Sequence, residues 1–245
     1  MDYRQRCYDS YGRQWEQMHT SSEKEFALYA AVARKKYLSL LPKNKSARFL
    51  DVACGAGHFL YFLKKEGYEN VHGIDLSPSQ LTIARAMGVT EVEEANLFDY
   101  LRMRQHAYDI VIAHDIIEHL LKNEVLQFLD MIHAALAPGG SIIVSAPNAS
   151  SLFGASLVYI DFTHEMGFTP TSLTHVLRTC GFHNIALYGD GPVAHDVRSF
   201  MRVFLWKCIT MILRLYRTVE SGTGRGLWIQ KDLFEPRIIA LGKKQ

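Results

Sequence analysis

Five short apolar runs, Arg48 to Ala53, Asn70 to Asp75, Glu91 to Ala95, Tyr108 to Ala113 and Ser141 to Ala146, punctuate one continuous stretch of the chain. Between them lie segments of helical spacing: His58 to Glu66 before Gly67, a run from Ser77-Pro78 to Met87-Gly88, and Lys122 to Leu136 before Pro138-Gly139-Gly140. Strands that are apolar on both faces need cover on both faces, and alternation with helices supplies it. The pattern therefore predicts an α/β fold, a doubly wound and mostly parallel sheet whose ligands bind at the carboxyl ends of the strands.

Four parts follow from this pattern. Residues 1–47 form a helical extension, in which spacing from Ser22 to Leu41 predicts a helix ended by Pro42. Residues 48–191 are the core, with a helix at Thr171 to Cys180 before Gly181 and a strand near Ile185 to Tyr188. Residues 192–235 are a helical insertion, and 236–245 return a closing strand at Arg237 to Leu241. Within the insertion, His195 to Val219 is apolar almost all round, with Arg198, Arg202, Lys207, Arg214 and Arg217 interspersed. Such a helix needs cover, so 195–219 is expected to meet either a second copy in a homodimer or the surface of a membrane.

Composition removes several other classes. The chain has 245 residues, long enough for a core without cross-links, and its four cysteines form no C-x-x-C pair, so neither a zinc knuckle nor a disulfide framework is indicated. A reducing cytoplasm fits, and the charged start MDYRQRCYDS lacks the apolar segment of a secretory signal. Met131 to Ile160 carries no Asp, Glu, Lys or Arg, but its Pro and Gly turns exclude a membrane span. Net charge is +2 overall, distributed as +4 over residues 1–47, −8 over 48–191 and +6 over 192–245. That total argues against duplex DNA as partner.

Asp51-Val-Ala-Cys-Gly55-Ala-Gly57 joins the first strand to a helix N-terminus by a glycine turn, over which backbone can approach a ligand closely. The dinucleotide pattern G-x-G-x-x-G fails, because its third glycine position is Leu60. Asp75 closes the second strand, where a carboxylate can bind both hydroxyls of a ribose. A second carboxylate, Asp51, would repel a pyrophosphate but suits a sulfonium or ammonium. The chemistry points to an aminoacyl nucleoside.

In FLDVACGAGHFL, VHGIDLSPSQLTIARAMG, YDIVIAHDIIEHL and LAPGGSIIVSAPN, in that order, the sequence resembles the class I S-adenosylmethionine-dependent methyltransferases. The resemblance covers residues 48 to 148. It implies a seven-stranded sheet with an antiparallel last strand and a cofactor pocket of Asp51, Gly55, Gly57, Asp75, Leu76, Asn96, Leu97 and His114. Gly55 and Gly57 would cradle the methionine part, Asp75 the ribose, and Asn96-Leu97 the adenine. Ala53 stands where many members have glycine.

His114, Asp115, Glu118 and His119 crowd the end of the fourth strand, and Asp115, Glu118 and His119 have the i, i+3, i+4 spacing of one helical face. His164, in Asp161-Phe-Thr-His-Glu-Met-Gly-Phe-Thr-Pro170, is expected over the same pocket. Asp115, Glu118, His119 and His164 can hold Mg²⁺, Mn²⁺ or Fe²⁺ with positions left for substrate oxygens. This is similar to family branches that methylate the 3′-terminal ribose of small RNAs or quinone-precursor catechols, although Asp115 replaces their usual glutamate. Without a metal, His164 is the general base, with Glu118 and His119 beside it.

The run from Asp161 to Gly181 resembles methyltransferases of bacterial surface-polysaccharide clusters. This makes an O-methyltransferase of a sugar or glycan hydroxyl the first expectation, on a small-molecule or glycan acceptor that is lipid- or nucleotide-linked, with Arg198 and Arg202 holding its phosphate. Catechol and RNA-end acceptors follow. A reading of another class is a non-catalytic cofactor-binding subunit. The site of action is the cytoplasm or the inner face of the membrane.

Overall fold

The computed structural model describes residues 22–222 and 233–245, with Tyr3, Arg6 and Cys7 before them. The expected extension is therefore described essentially from Ser22 on, and residues 223–232 of the expected insertion lie outside the described residues.

The expected alternation is present. Helix α1 (Glu23–Tyr37) starts where the Ser22 hydroxyl accepts the Glu25 N–H at 3.3 Å, and it runs into a 3₁₀ turn, Leu38–Leu40, before Pro42. Then come β1 (Arg48–Val52), α2 (His58–Lys65), β2 (Asn70–Asp75), α3 (Pro78–Ala86), β3 (Val92–Glu94), α4 (Leu97–Arg102) and β4 (Tyr108–His114). A 3₁₀ turn, Ile117–His119, leads to α5 (Lys122–Ala135), β5 (Leu136–Pro147), α6 (Gly154–Val158), α7 (Pro170–Thr179), β6 (His183–Gly189), α8 (Val197–Ser221) and β7 (Arg237–Lys243). The short helices α4 and α6 were not foreseen. Asn96 creates α4, its Oδ1 accepting the N–H groups of Phe98 and Asp99 at 2.9 and 3.3 Å.

All seven strands join one sheet in the order β3-β2-β1-β4-β5-β7-β6. β7 lies antiparallel between β5 and β6, and the other pairings are parallel, as the family resemblance implied.

The period-two alternation of the strands divides the core into two layers. Leu50, Val52, Val111, Ala113, Ile142 and Val144 point into one with Phe128, Leu129 and Ile132 of α5. Phe49, Ile110, Ile112 and Ile143 point into the other with Ala33 and Tyr37 of α1 and Phe59, Leu60 and Leu63 of α2. Each Val, Leu, Ile or Phe among them, fully buried, contributes about 1.5–3 kcal/mol. Helix α1 thus packs into the core beside the strand ends.

Candidate active site

Both halves of the site rise from the carboxyl edge of the sheet. The first grows from β1 and β2. Ala53, Gly55 and Gly57 all adopt left-handed backbone (φ 58°, 52° and 77°), which folds the chain from β1 straight into α2. The loop presses on β2: a Cβ on Gly73 would lie 2.5 Å from Leu60 Cδ1 and 2.8 Å from Cys54 Sγ, so any larger residue there would push both side chains aside.

Asp75, at the end of β2, accepts the Gly55 N–H on one carboxylate oxygen and the Ser77 N–H on the other, each at 2.8 Å. Burial raises its pKa, against the lowering effect of the Ser77, Gly55 and Leu76 N–H groups. Asp51 is 3% exposed, and burial first, then the field of Asp75, pushes its carboxyl well above the ordinary value. A buried carboxyl beside a half-buried carboxylate favours a cation.

The roof over this half is aromatic. Phe26 of α1 stacks on His58 at 3.9 Å between ring centroids, and His114 sits between Tyr37 and Phe59 at 5.1 and 4.7 Å. Burial, reinforced by Arg237, pushes His114 down to about 3, so it is neutral, and its Nε2 is buried without a hydrogen-bond partner among the described residues. Leu76 is exposed at the mouth, Asn96 spends its side chain on capping α4, and Leu97 is buried beneath it. Sequence reasoning missed Gly73 and the roof from α1, whose aromatic residues Phe26, Tyr29 and Tyr37 were read only as a helical face.

The second half grows from β4. Asp115 does not share a helical face with Glu118 and His119, contrary to the expectation from spacing. Its backbone is left-handed (φ 49°), and only Ile117–His119 forms a helical turn, a 3₁₀ one. The reversal sends its carboxylate toward Arg237 of β7, with which it forms an ion pair, and toward the Ser145 hydroxyl, which donates to it at 3.2 Å. Arg237 carried no signal in the sequence beyond its place at the start of a strand.

Glu118, His119 and His164 do come together: one potential ligand atom from each lies within 4.8 Å of the others. The loop bearing His164 is tied down by the Glu165 N–H, which donates to the Glu118 carbonyl at 2.8 Å. Glu118 is 1% exposed, its Oε2 has no hydrogen-bond partner among the described residues, and burial, with the field of Asp161 adding to it, pushes its pKa up to about 8.

Hydrogen bonds fix both imidazoles. The Thr163 hydroxyl donates to Asp161 Oδ1 at 2.7 Å, so it can only accept from His119 Nδ1, 2.8 Å away. His164 Nδ1 lies 2.8 Å from the Val158 carbonyl, which can only accept. Both neutral rings therefore carry hydrogen on Nδ1 and the lone pair on Nε2. Burial raises Asp161, but the bonds from Thr163 and the fields of His119 and His164 outweigh it and hold its pKa below the ordinary value. The Asp161-x-Thr163 spacing is a local turn signature that could have revealed this support.

A family model described as a methyltransferase domain matches residues 23–187. The chain belongs to the methyltransferase family. Its cofactor is S-adenosylmethionine. The methyltransferase is 29% identical over 167 residues to a ubiquinone biosynthesis O-methyltransferase of Hydrogenovibrio crunogenus, covering 60% of this chain and 67% of that one. It is 28% identical over 124 residues to norajmaline N-methyltransferase of Rauvolfia serpentina, covering 45% of this chain and 42% of the relative. Among solved structures, an S-adenosylmethionine-dependent methyltransferase from Archaeoglobus fulgidus superposes with a TM-score of 0.64 at 21% identity, over 89% of this chain and 94% of the other. At that identity the likeness speaks for the fold alone.

Proposed function

We propose that the methyltransferase transfers a methyl group to oxygen on an acceptor with two neighbouring oxygens, and that Glu118, His119 and His164 hold a divalent cation there. The observation that carries this reading is the buried Glu118 carboxylate, with an oxygen unpartnered among the described residues, beside two imidazoles whose protons are fixed on Nδ1. Two neutral imidazoles with one carboxylate suit Mn²⁺ or Fe²⁺ better than the all-oxygen preference of Mg²⁺. Asp115, spent on Arg237, is left out of the set.

S-Adenosylmethionine, when bound, supplies a methyl group on a positively charged sulfur. Asp75 fixes its ribose, and Asp51 with Asp75 favours the cation in the pocket. A divalent ion, when bound, supplies Lewis acidity that makes an adjoining hydroxyl acidic near neutral pH. Asp161 and Thr163 hold His119 in register, Val158 does the same for His164, and Glu118 brings the negative charge. Positioning the acceptor oxygen in line with the methyl group supplies much of the remaining rate.

A catechol-type ring is the acceptor favoured by likeness to the ubiquinone biosynthesis O-methyltransferase, and Tyr159 and Phe162 offer exposed rings on the loop that carries His164. The sugar hydroxyl expected from the sequence is the second reading, supported by the Asp161 to Pro170 motif. The test is Mn²⁺ titration in the presence of S-adenosylhomocysteine. Wild type is expected to bind one ion and Glu118→Ala to lose at least about a hundredfold in affinity. No ion on wild type overturns the metal reading and leaves His164 Nε2 as the base, to be checked by the rate of His164→Gln on single phenolic and sugar hydroxyls.

A further inference from the structure

Helix α8 carries a surface apart from Glu118, His119 and His164. Its 25 residues span about 37 Å; of its buried or half-buried positions, Ser199, Val203, Trp206, Thr210, Leu213 and Arg217 recur at steps of four and three and form one edge, while half-buried Cys208 lies on the other side. This edge faces the loop that precedes the helix, with Trp206 Nε1 3.5 Å from where a Cβ on Gly191 would be. On a helical wheel at 100° per residue the opposite face is apolar: Phe200, Met201, Phe204, Met211, Ile212 and Leu215 are all between 50% and 66% exposed.

Charge borders this face on both sides. Lys207 and Arg214 line one margin and Arg198 and Arg202 the other, while no acidic residue falls within the stripe; the helix holds a single acid, Glu220, near its end. Isolated exposed apolar residues are ordinary, but a continuous stripe of this length marks a binding surface. No helix among the described residues is long and apolar enough to cross a membrane, which leaves a helix that lies along a surface.

We infer that α8 docks the methyltransferase flat on an anionic lipid bilayer, with the apolar stripe in the acyl boundary and the basic margins at the headgroups. The charge pattern selects this occupant. Two copies meeting through the stripe would bring basic margins together with little acid to offset them, whereas anionic headgroups meet all four cations, and the stems of Lys and Arg can reach outward along the boundary. The topology gives docking a use. α8 leaves β6 and returns to β7 at the carboxyl end of the sheet, where Arg237 pairs with Asp115 beside the acceptor pocket. A groove of about 390 Å³ lined by Met201, Leu205, Trp206, Ile209 and Pro236, among others, runs from the helix to that end. Docking therefore sets the acceptor side near the lipid surface, whatever the acceptor and whether or not a metal is bound.

The test is co-sedimentation of the full chain with vesicles of phosphatidylglycerol and phosphatidylcholine in equal parts, and with pure phosphatidylcholine. Wild type is expected to bind the mixed vesicles and to be released by salt, and each of Arg198→Gln, Arg202→Gln, Lys207→Gln and Arg214→Gln to weaken binding about fivefold. The pair Phe204→Glu with Leu215→Glu is expected to abolish it, with S-adenosylhomocysteine affinity unchanged as proof of folding. Failure of wild type to bind mixed vesicles, or binding untouched by the Glu pair, overturns the inference. So does a wild-type dimer in solution that the Glu pair dissociates, since the stripe is then covered by a second copy.

Discussion

Asp75 and Glu118 follow β2 and β4, the two strands that flank β1 in one sheet, yet they are held in opposite ways. Asp75 is gripped by the backbone, with N–H groups of Gly55 and Ser77 on its two oxygens. Glu118 is buried on a 3₁₀ turn, with an oxygen unpartnered among the described residues and histidines for neighbours. A carboxylate satisfied by main chain is a fixed part of a general-purpose cradle. One left unsatisfied in an enclosed place is, on the proposed function, held for a divalent cation. On the proposed function, the cofactor half is thus built from main chain and the acceptor half from side chains, which is where specificity would reside.

The comparison breaks most sharply if both carboxylates are tested against the same two ligands. Asp75→Ala is expected to weaken S-adenosylhomocysteine by at least about a hundredfold in calorimetry, because charged hydrogen bonds to the ribose and the anchor of the Gly55 loop go together. Mn²⁺ affinity should stay within about twofold. Equal losses of both ligands in Asp75→Ala would mean that the halves are one coupled unit.

Next in size is the support of His119. Thr163→Val keeps the shape of the side chain but removes the hydroxyl that links His119 to Asp161. Mn²⁺ affinity is expected to fall about 10–100-fold, as for other outer partners of metal-binding histidines, with cofactor affinity unaffected. Unchanged Mn²⁺ binding would show that the Asp161–Thr163 link only orders the loop.

This division also explains what could be read in the chain. Strand ends, the Gly55–Gly57 turn and Asp75 were legible because main-chain geometry imposes residue types: glycine where backbone must turn, a cap such as Ser77 where a helix must start; Asn96, which caps α4, was read only as a neighbour of the adenine. The grouping of Glu118, His119 and His164 was legible, but not the departure of Asp115 from it. Its helical spacing gave way to a left-handed residue, and Arg237, far along the chain, claimed its carboxylate. Nothing local in a sequence announces a partner on a strand that returns from the far side of a sheet. The aromatic roof from α1 stayed hidden for the same reason, since helical spacing says that a face is buried without saying against what.

A smaller effect separates binding from stability. Asp51 is raised well above the ordinary carboxyl value by burial and by Asp75, so the folded state holds its proton more tightly than the unfolded chain. Its contribution to stability is complete below the unfolded pKa near 4 and is lost as pH rises through the folded value. Asp51→Asn is expected to flatten that decline, raise the Tm of the ligand-free protein at neutral pH by about 2 °C or more, and weaken S-adenosylmethionine more than neutral S-adenosylhomocysteine. Thermal melts from pH 4 to 8 decide this; an Asp51→Asn profile parallel to wild type would remove Asp51 as the source.

The smallest prediction sets two single residues against each other. Ala53 after β1 and Asp115 after β4 both take left-handed backbone, at φ 58° and 49°, each at the point where a strand turns into its half of the site. For Ala the conformation costs about 1–2 kcal/mol, and glycine returns about 0.4–1 kcal/mol of that as entropy of the unfolded chain. Ala53→Gly should therefore stabilise by about 0.5 kcal/mol, a rise in Tm of about 1–2 °C, with S-adenosylhomocysteine affinity unchanged. Asp tolerates the left-handed region better than Ala, and Asp115 spends its carboxylate on Arg237 and Ser145. Asp115→Gly should accordingly destabilise by about 1 kcal/mol, despite the same backbone relief, and disturb the acceptor half by releasing Arg237. Opposite signs for the two glycine variants in paired melts would show that one half uses its left-handed residue for backbone alone and the other for its side chain. The same sign in both would mean that the ion pair on Asp115 adds nothing to the fold.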